Sequence, residues 1–118
     1  MLEYNHMKTQ LKDKKCVPCE DAKTKPLTPR ETRELVKEIP AWILAKNNKK
    51  ITRAWLFEDF VMAMKFVNQV AKLAEKQGHH PDITIWYNKV TLDLSTHSIK
   101  GLTENDFIVA AKIDGLIA

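Results

Sequence analysis

The chain has 118 residues, 44% of them hydrophobic and 29% charged, with a formal net charge of +4 at pH 7. That length suits one domain with a modest core, and the composition is that of an ordinary globular protein. No apolar run approaches the roughly 20 residues of a membrane-spanning helix. The N-terminus lacks the apolar core and cleavage site of a secretory signal, so a cytoplasmic protein is expected.

The 19 basic and 15 acidic residues are interspersed. Short runs such as Lys12-Asp13-Lys14-Lys15 and Lys49-Lys50 read as a solvated tail and a turn. With no nucleic-acid reader motif, a nucleic-acid partner is not expected. Residues 1–26 are polar and Lys-rich, without a period of 2 or 3.6, which predicts a flexible arm ahead of a single domain over 27–118. The arm carries the only cysteines, Cys16 and Cys19. A redox pair would open a helix after a strand, and structural zinc would need two further ligands. Thiols without a chemical task are the simplest reading, with zinc shared across a dimer as the alternative.

Order is expected to begin at Thr28. A threonine N-cap, Pro29 at the first helical position and Glu31 completing a capping box start a short helix. Leu35, Val36 and Ile39 give it an apolar face, and Pro40 ends it. The apolar segments 42–45 and 51–57 flank Lys46-Asn47-Asn48-Lys49-Lys50, a turn sequence that predicts a β-hairpin.

The longest helix is expected over 58–77, closed by Gly78 as C-cap. Phe60, Met64, Val67, Ala71 and Ala74 form its apolar stripe, which Val61, Met62, Phe66, Val70 and Leu73 widen beyond one face. That width predicts burial against the sheet and against another helix or subunit. Strands are expected over 83–87 and 90–94, joined at Asn88-Lys89, with Val90, Leu92 and Leu94 on the buried face. A loop over 98–102 leads to a last helix capped by Thr103 and running through Ile113. The resulting order, α-β-β-α-β-β-α, predicts an α+β two-layer domain with a four-stranded antiparallel sheet and helices on one face.

Three of the four histidines, His79, His80 and His97, follow the long helix. Imidazole titrates near neutral pH, so proton-transfer chemistry concentrates here. Glu75 precedes the His79-His80-Pro81 turn by four residues, and Tyr87, His97 and Asp106 follow it. This constellation resembles the signature of the pterin-4a-carbinolamine dehydratases. The likeness continues through Trp42, residues 55–60, Tyr87-Asn88-Lys89-Val90 and Leu94-Ser95-Thr96-His97, and covers residues 27–118.

The resemblance implies a sheet-and-helix domain that associates as dimers or tetramers, and active-site roles for Glu75, His79, His80, His97 and Asp106. Its substrate would be a 4a-hydroxytetrahydropterin, converted to the quinonoid dihydropterin and water. Hydroxide leaves from a ring carbon and must be protonated as it goes, while a second proton leaves the ring. Histidines can carry both transfers, for a gain of about 10²–10⁴-fold, without a metal or organic cofactor. His79 and His80 are the first candidates for proton transfer. His97 would bind or polarise the ring or take the second proton role, and Asp106 would orient a histidine or the ring. Trp42 and Tyr87 are candidates for lining the pocket. The expected link is to an aromatic amino-acid hydroxylase, whose spent pterin this reaction returns to a reducible form.

Structural explanations compete at each position. Asp106, three residues after Thr103, can serve simply as a helix cap. Glu75 can be a solvated helix residue, and Trp42 and Tyr87 can be packing residues. Three imidazoles with Asp106 could in principle hold a metal, but adjacent histidines in extended backbone point apart. A non-catalytic binding module is the functional rival, because some members of this family bind a transcription factor through a helix surface.

Overall fold

The computed structural model describes residues 10–17 and 25–117. Thr28 opens α1 (Pro29–Val36): its hydroxyl accepts from the Glu31 amide at 3.2 Å, and the Glu31 carboxylate accepts from the Thr28 amide at 2.8 Å. The helix then unwinds through tight turns, in which Glu38 donates to Leu35, Ile39 to Val36 and Trp42 to Ile39. That path delivers Ile39 and Trp42 into the core.

Strands β1 (Ile43–Leu44) and β2 (Ile51–Leu56) pair antiparallel around a turn in which Asn48 adopts a left-handed φ of 61°. Helix α2 (Phe60–Gln77) follows, then β3 (Asp82–Trp86), β4 (Lys89–Leu94) and α3 (Glu104–Asp114). The strand order is β1-β2-β4-β3, with every pair antiparallel. The fold is therefore α+β, with three helices and one four-stranded antiparallel sheet. Register places Ile51 opposite Leu94, Arg53 opposite Leu92 and Trp55 opposite Val90. Ile51, Trp55, Val90, Leu92 and Leu94 are buried beneath Phe66, Val70 and Phe107.

Three local details differ from the sequence reading. Helix α2 starts two residues later than expected, because Asp59 caps it by accepting from the Met62 amide at 2.9 Å. Its buried stripe is Ala63, Phe66, Val67, Val70 and Ala74, while Phe60 and Ala71 are exposed. The β3–β4 turn falls on Tyr87-Asn88, not Asn88-Lys89; Tyr87 takes a left-handed φ of 52° and the Asn88 amide side chain donates to the Phe57 carbonyl at 2.9 Å.

Helix α3 is buried nearly all round, from Asn105 through Ala110 and at Ile113. Part of the N-terminal arm supplies the cover. Residues 11–13 form a 3₁₀ turn with Leu11 buried, and the Val17 backbone and the Asn105 side chain exchange two hydrogen bonds, at 3.0 and 2.7 Å. The Cys16 amide donates to the Gln77 side chain at 3.1 Å, and Lys14 meets Glu104 at 2.6 Å. This strap joins the end of α2 to the start of α3. Cys19 lies outside the described residues.

Gly78 closes α2 with a φ of 67° and an amide that donates to the Ala74 carbonyl at 2.8 Å. A Cβ there would meet no atom within 4 Å. Gly78→Ala therefore carries only the left-handed backbone penalty, and chemical denaturation is expected to show a loss of about 1–2 kcal/mol.

Candidate active site

The ends of three elements converge where the site residues lie: the C-terminus of α2, the exit of β4 and the first turn of α3. Gly78 turns the chain out of α2, and the His79 amide still donates to the Ala74 carbonyl at 3.2 Å. The two neighbouring imidazoles then take opposite directions. His79 turns inward, and its Nε2 lies 2.6 Å from Oδ1 of Asp106. His80 is exposed, and its Nε2 lies 2.6 Å from Oε2 of Glu75.

Asp106 is fully buried, and donors surround it. Its Oδ2 accepts from the Thr96 hydroxyl at 2.8 Å and from the Thr103 amide at 3.0 Å. Thr96 and Thr103 also share a hydroxyl–hydroxyl contact of 2.9 Å. A carboxylate that accepts from a hydroxyl and an amide on one oxygen is best satisfied when the imidazole donates to the other. That assigns the proton of neutral His79 to Nε2 and leaves Nδ1 as an acceptor. Asp106 is thus both the helix cap and the partner of a histidine; the two readings of its spacing are one arrangement.

His97 lies just beyond β4 with its side chain 76% exposed, 3.9 Å from Asp82. The Thr96 amide donates to the Gly101 carbonyl at 2.8 Å, so the loop bearing His97 is tied back on itself. The structure therefore gathers Glu75, His79, His80, His97 and Asp106 at one end of the sheet. It places Trp42 and Tyr87 elsewhere. Trp42 is buried against Trp55, with ring centroids 5.8 Å apart, and its indole N–H donates to Asp114 at 2.9 Å. Tyr87 sits in the turn at the far end of β3 from His80, a strand's length away.

Four participants were not singled out from sequence. Thr96 satisfies Asp106, Asp82 faces His97, and Asn105 with Gln77 anchors the strap beside the pair. Only Asp82 had a local signal, its position directly after the His79-His80-Pro81 turn. Among the described residues no three His, Cys, Asp or Glu side chains converge as a metal-binding group. None of their helices is long and apolar enough to cross a membrane.

The family model for pterin 4 alpha carbinolamine dehydratase matches residues 25–116. This chain belongs to the pterin-4a-carbinolamine dehydratase family. Members of this family are hydro-lyases. A Halorhodospira halophila protein provisionally named pterin-4-alpha-carbinolamine dehydratase is 41% identical over 106 residues, 90% of this chain and 96% of that protein. The mitochondrial pterin-4-alpha-carbinolamine dehydratase 2 of Arabidopsis thaliana is 41% identical over 109 residues, which are 90% of this chain and 58% of that protein. Among solved structures, a transcriptional coactivator/pterin dehydratase from Brucella melitensis superposes with a TM-score of 0.75 at 36% identity. The match spans 80% of this chain and all of that one.

The two carboxylate–histidine pairs predict opposite responses to truncation. Asp106→Ala leaves His79, Thr96 and the Thr103 amide without their buried acceptor, and is expected to cost about 3 kcal/mol in urea denaturation. Glu75→Ala removes a carboxylate that is 79% exposed, so its stability is expected to change by no more than about 0.5 kcal/mol.

Proposed function

We propose that this chain dehydrates a 4a-hydroxytetrahydropterin to the quinonoid dihydropterin and water by histidine acid–base catalysis. The observation that carries the reading is the presence of two solvent-reachable imidazoles, His80 and His97, at the same end of the sheet as a buried, carboxylate-held one, His79. Membership of the dehydratase family supports the substrate class.

In this mechanism the N5 lone pair of the pterin expels the 4a-hydroxyl, and an imidazolium protonates it as it leaves, so that water departs. A second imidazole removes the ring proton, which leaves the neutral quinonoid dihydropterin. His80 and His97 exchange these two protons, because a substrate can reach both. Glu75 fixes the ring of His80 through their 2.6 Å contact. His79 and Asp106 hold the turn that presents His80. The product is a pterin at the level a reductase accepts, which suits recycling behind an aromatic amino-acid hydroxylase in the cytoplasm. The chemistry needs only proton transfer, so no metal or organic cofactor is called for.

We also propose that the working species is a homodimer or homotetramer. β3 is an edge strand, with one side of its backbone unpaired within the sheet. Ile83 and Ile85 on that strand are each 38% exposed, and Trp86 at its end is 79% exposed. At the start of α2, Phe60, Val61 and Met62 make a second apolar patch. Edges and patches of this kind are normally covered. The second patch also suits a binding role, and the similar Brucella protein is named a transcriptional coactivator/pterin dehydratase.

Stopped-flow absorbance of freshly generated 4a-hydroxytetrahydropterin tests the activity. Wild type is expected to accelerate its loss, and His80→Ala and His97→Ala each to lower kcat by about 10²-fold with folding retained by circular dichroism. A folded wild type that leaves the spontaneous rate unchanged would favour the binding module. Sedimentation is expected to show a dimer or larger species, and Ile85→Lys to shift it toward monomer.

A further inference from the structure

Next to His97 the surface sinks into a cavity of about 570 Å³ whose wall carries Lys46, Lys49, Lys50 and Lys100 together with His97 and Thr96. Two short turns build it. The β1–β2 turn is closed by the Ala45 amide on the Lys50 carbonyl at 2.9 Å and the Asn48 amide on the Ala45 carbonyl at 2.9 Å. It supplies three of the lysines. The loop after β4 supplies His97 and Lys100, with the Lys100 amide donating to the His97 carbonyl at 3.2 Å. The pairing of Ile51 with Leu94 brings the two turns side by side.

The charge of this wall is largely uncompensated. Lys50 approaches Asp93 at 3.8 Å, but that carboxylate also accepts from the Thr52 hydroxyl at 2.5 Å. Among the described residues, Lys46, Lys49 and Lys100 have no carboxylate within ion-pair distance. Asp82 lies 3.9 Å from His97. Lys100 also holds a left-handed φ of 58°, a conformation that non-glycine residues seldom keep without a reason. Like charges on two facing turns repel unless an anion joins them.

The cavity is continuous with the catalytic end of the sheet. His97 belongs to both, and Thr96, in the cavity wall, donates its hydroxyl to the Asp106 that holds His79. We propose that this lysine-lined cavity is a subsite for an anionic group, a phosphate or a carboxylate, on the side chain of the pterin substrate. The proposal rests on the dehydratase reading and extends it to the substrate's substituent, which the histidines themselves do not read.

Calorimetric titration of the full chain with three stable probes tests it: 6-hydroxymethyl-7,8-dihydropterin, its diphosphate ester and 7,8-dihydrofolate. At about 0.05 M salt at least one anionic probe is expected to bind about tenfold more tightly than the neutral one. At about 0.5 M salt the difference is expected to shrink below about twofold, since exposed charges are screened. The two anionic probes separate phosphate from carboxylate. Lys46→Ser/Lys100→Ser is expected to abolish the preference, and Lys65→Ser/Lys72→Ser, an equal charge change on α2, to leave it intact. Equal affinity for all three probes overturns the subsite and leaves the dehydratase reading standing. Equal loss in both double variants also overturns it, as an effect of bulk charge. In a control titration, binding of inorganic diphosphate together with no binding of the neutral pterin retains the anion site and overturns the pterin reading.

Discussion

The Asp106 carboxylate is the constraint around which this end of the molecule is arranged. It has no solvent exposure, so it depends on its donors, and these come from three different elements: His79 after α2, Thr96 after β4 and the Thr103 amide before α3. Burying a carboxylate is tolerable only when its oxygens are well supplied with hydrogen bonds. Meeting that demand fixes the three chain segments relative to one another. The strap reinforces the same junction from outside, through Gln77 beside Gly78 and Asn105 beside Asp106.

Around this rigid centre lies a softer rim. His80 with Glu75, and His97 with Asp82, have exposed side chains and single partners. Exposed pairs of this kind contribute little to stability, because water screens them and their side chains lose entropy on pairing. Their value is access. A buried pair holds the backbone of the His79-His80-Pro81 turn, and exposed imidazoles can then meet a ligand from a fixed frame. In the proposed mechanism, this division separates the groups that hold the site from those a substrate reaches.

The small size of the domain explains the N-terminal cover. An eleven-residue helix that is buried nearly all round needs neighbours on every side. The sheet, α2 and the strap with buried Leu11 together enclose α3. Among the described residues no equivalent cover lies over β3, where Ile83, Ile85 and Trp86 face solvent. One face of the domain is therefore finished by the chain itself, and another is left open.

Much of this was legible in the sequence because it depends on local chemistry. The Thr28-Pro29-Arg30-Glu31 box, Gly78 as a left-handed cap, the Asn48 turn and the alternation of Val90, Leu92 and Leu94 each act within a few residues. The order of elements and the α+β class followed from them. The spacing of Glu75, His79, His80, His97 and Asp106 picked out residues that the structure gathers at one end of the sheet and, through resemblance, the family. What the spacing could not supply was direction. That His79 turns inward and His80 outward is decided by which carboxylate waits on each side, one 27 residues away in sequence and one five. Trp42 resembled a pocket residue in a linear pattern, yet its indole is committed to Asp114, 72 residues on. The strap's partners lie 61 to 100 residues from it. Local periodicity determines which elements form and which faces are apolar. Only the packed structure decides which polar groups meet, because long-range hydrogen bonds leave no period in the chain.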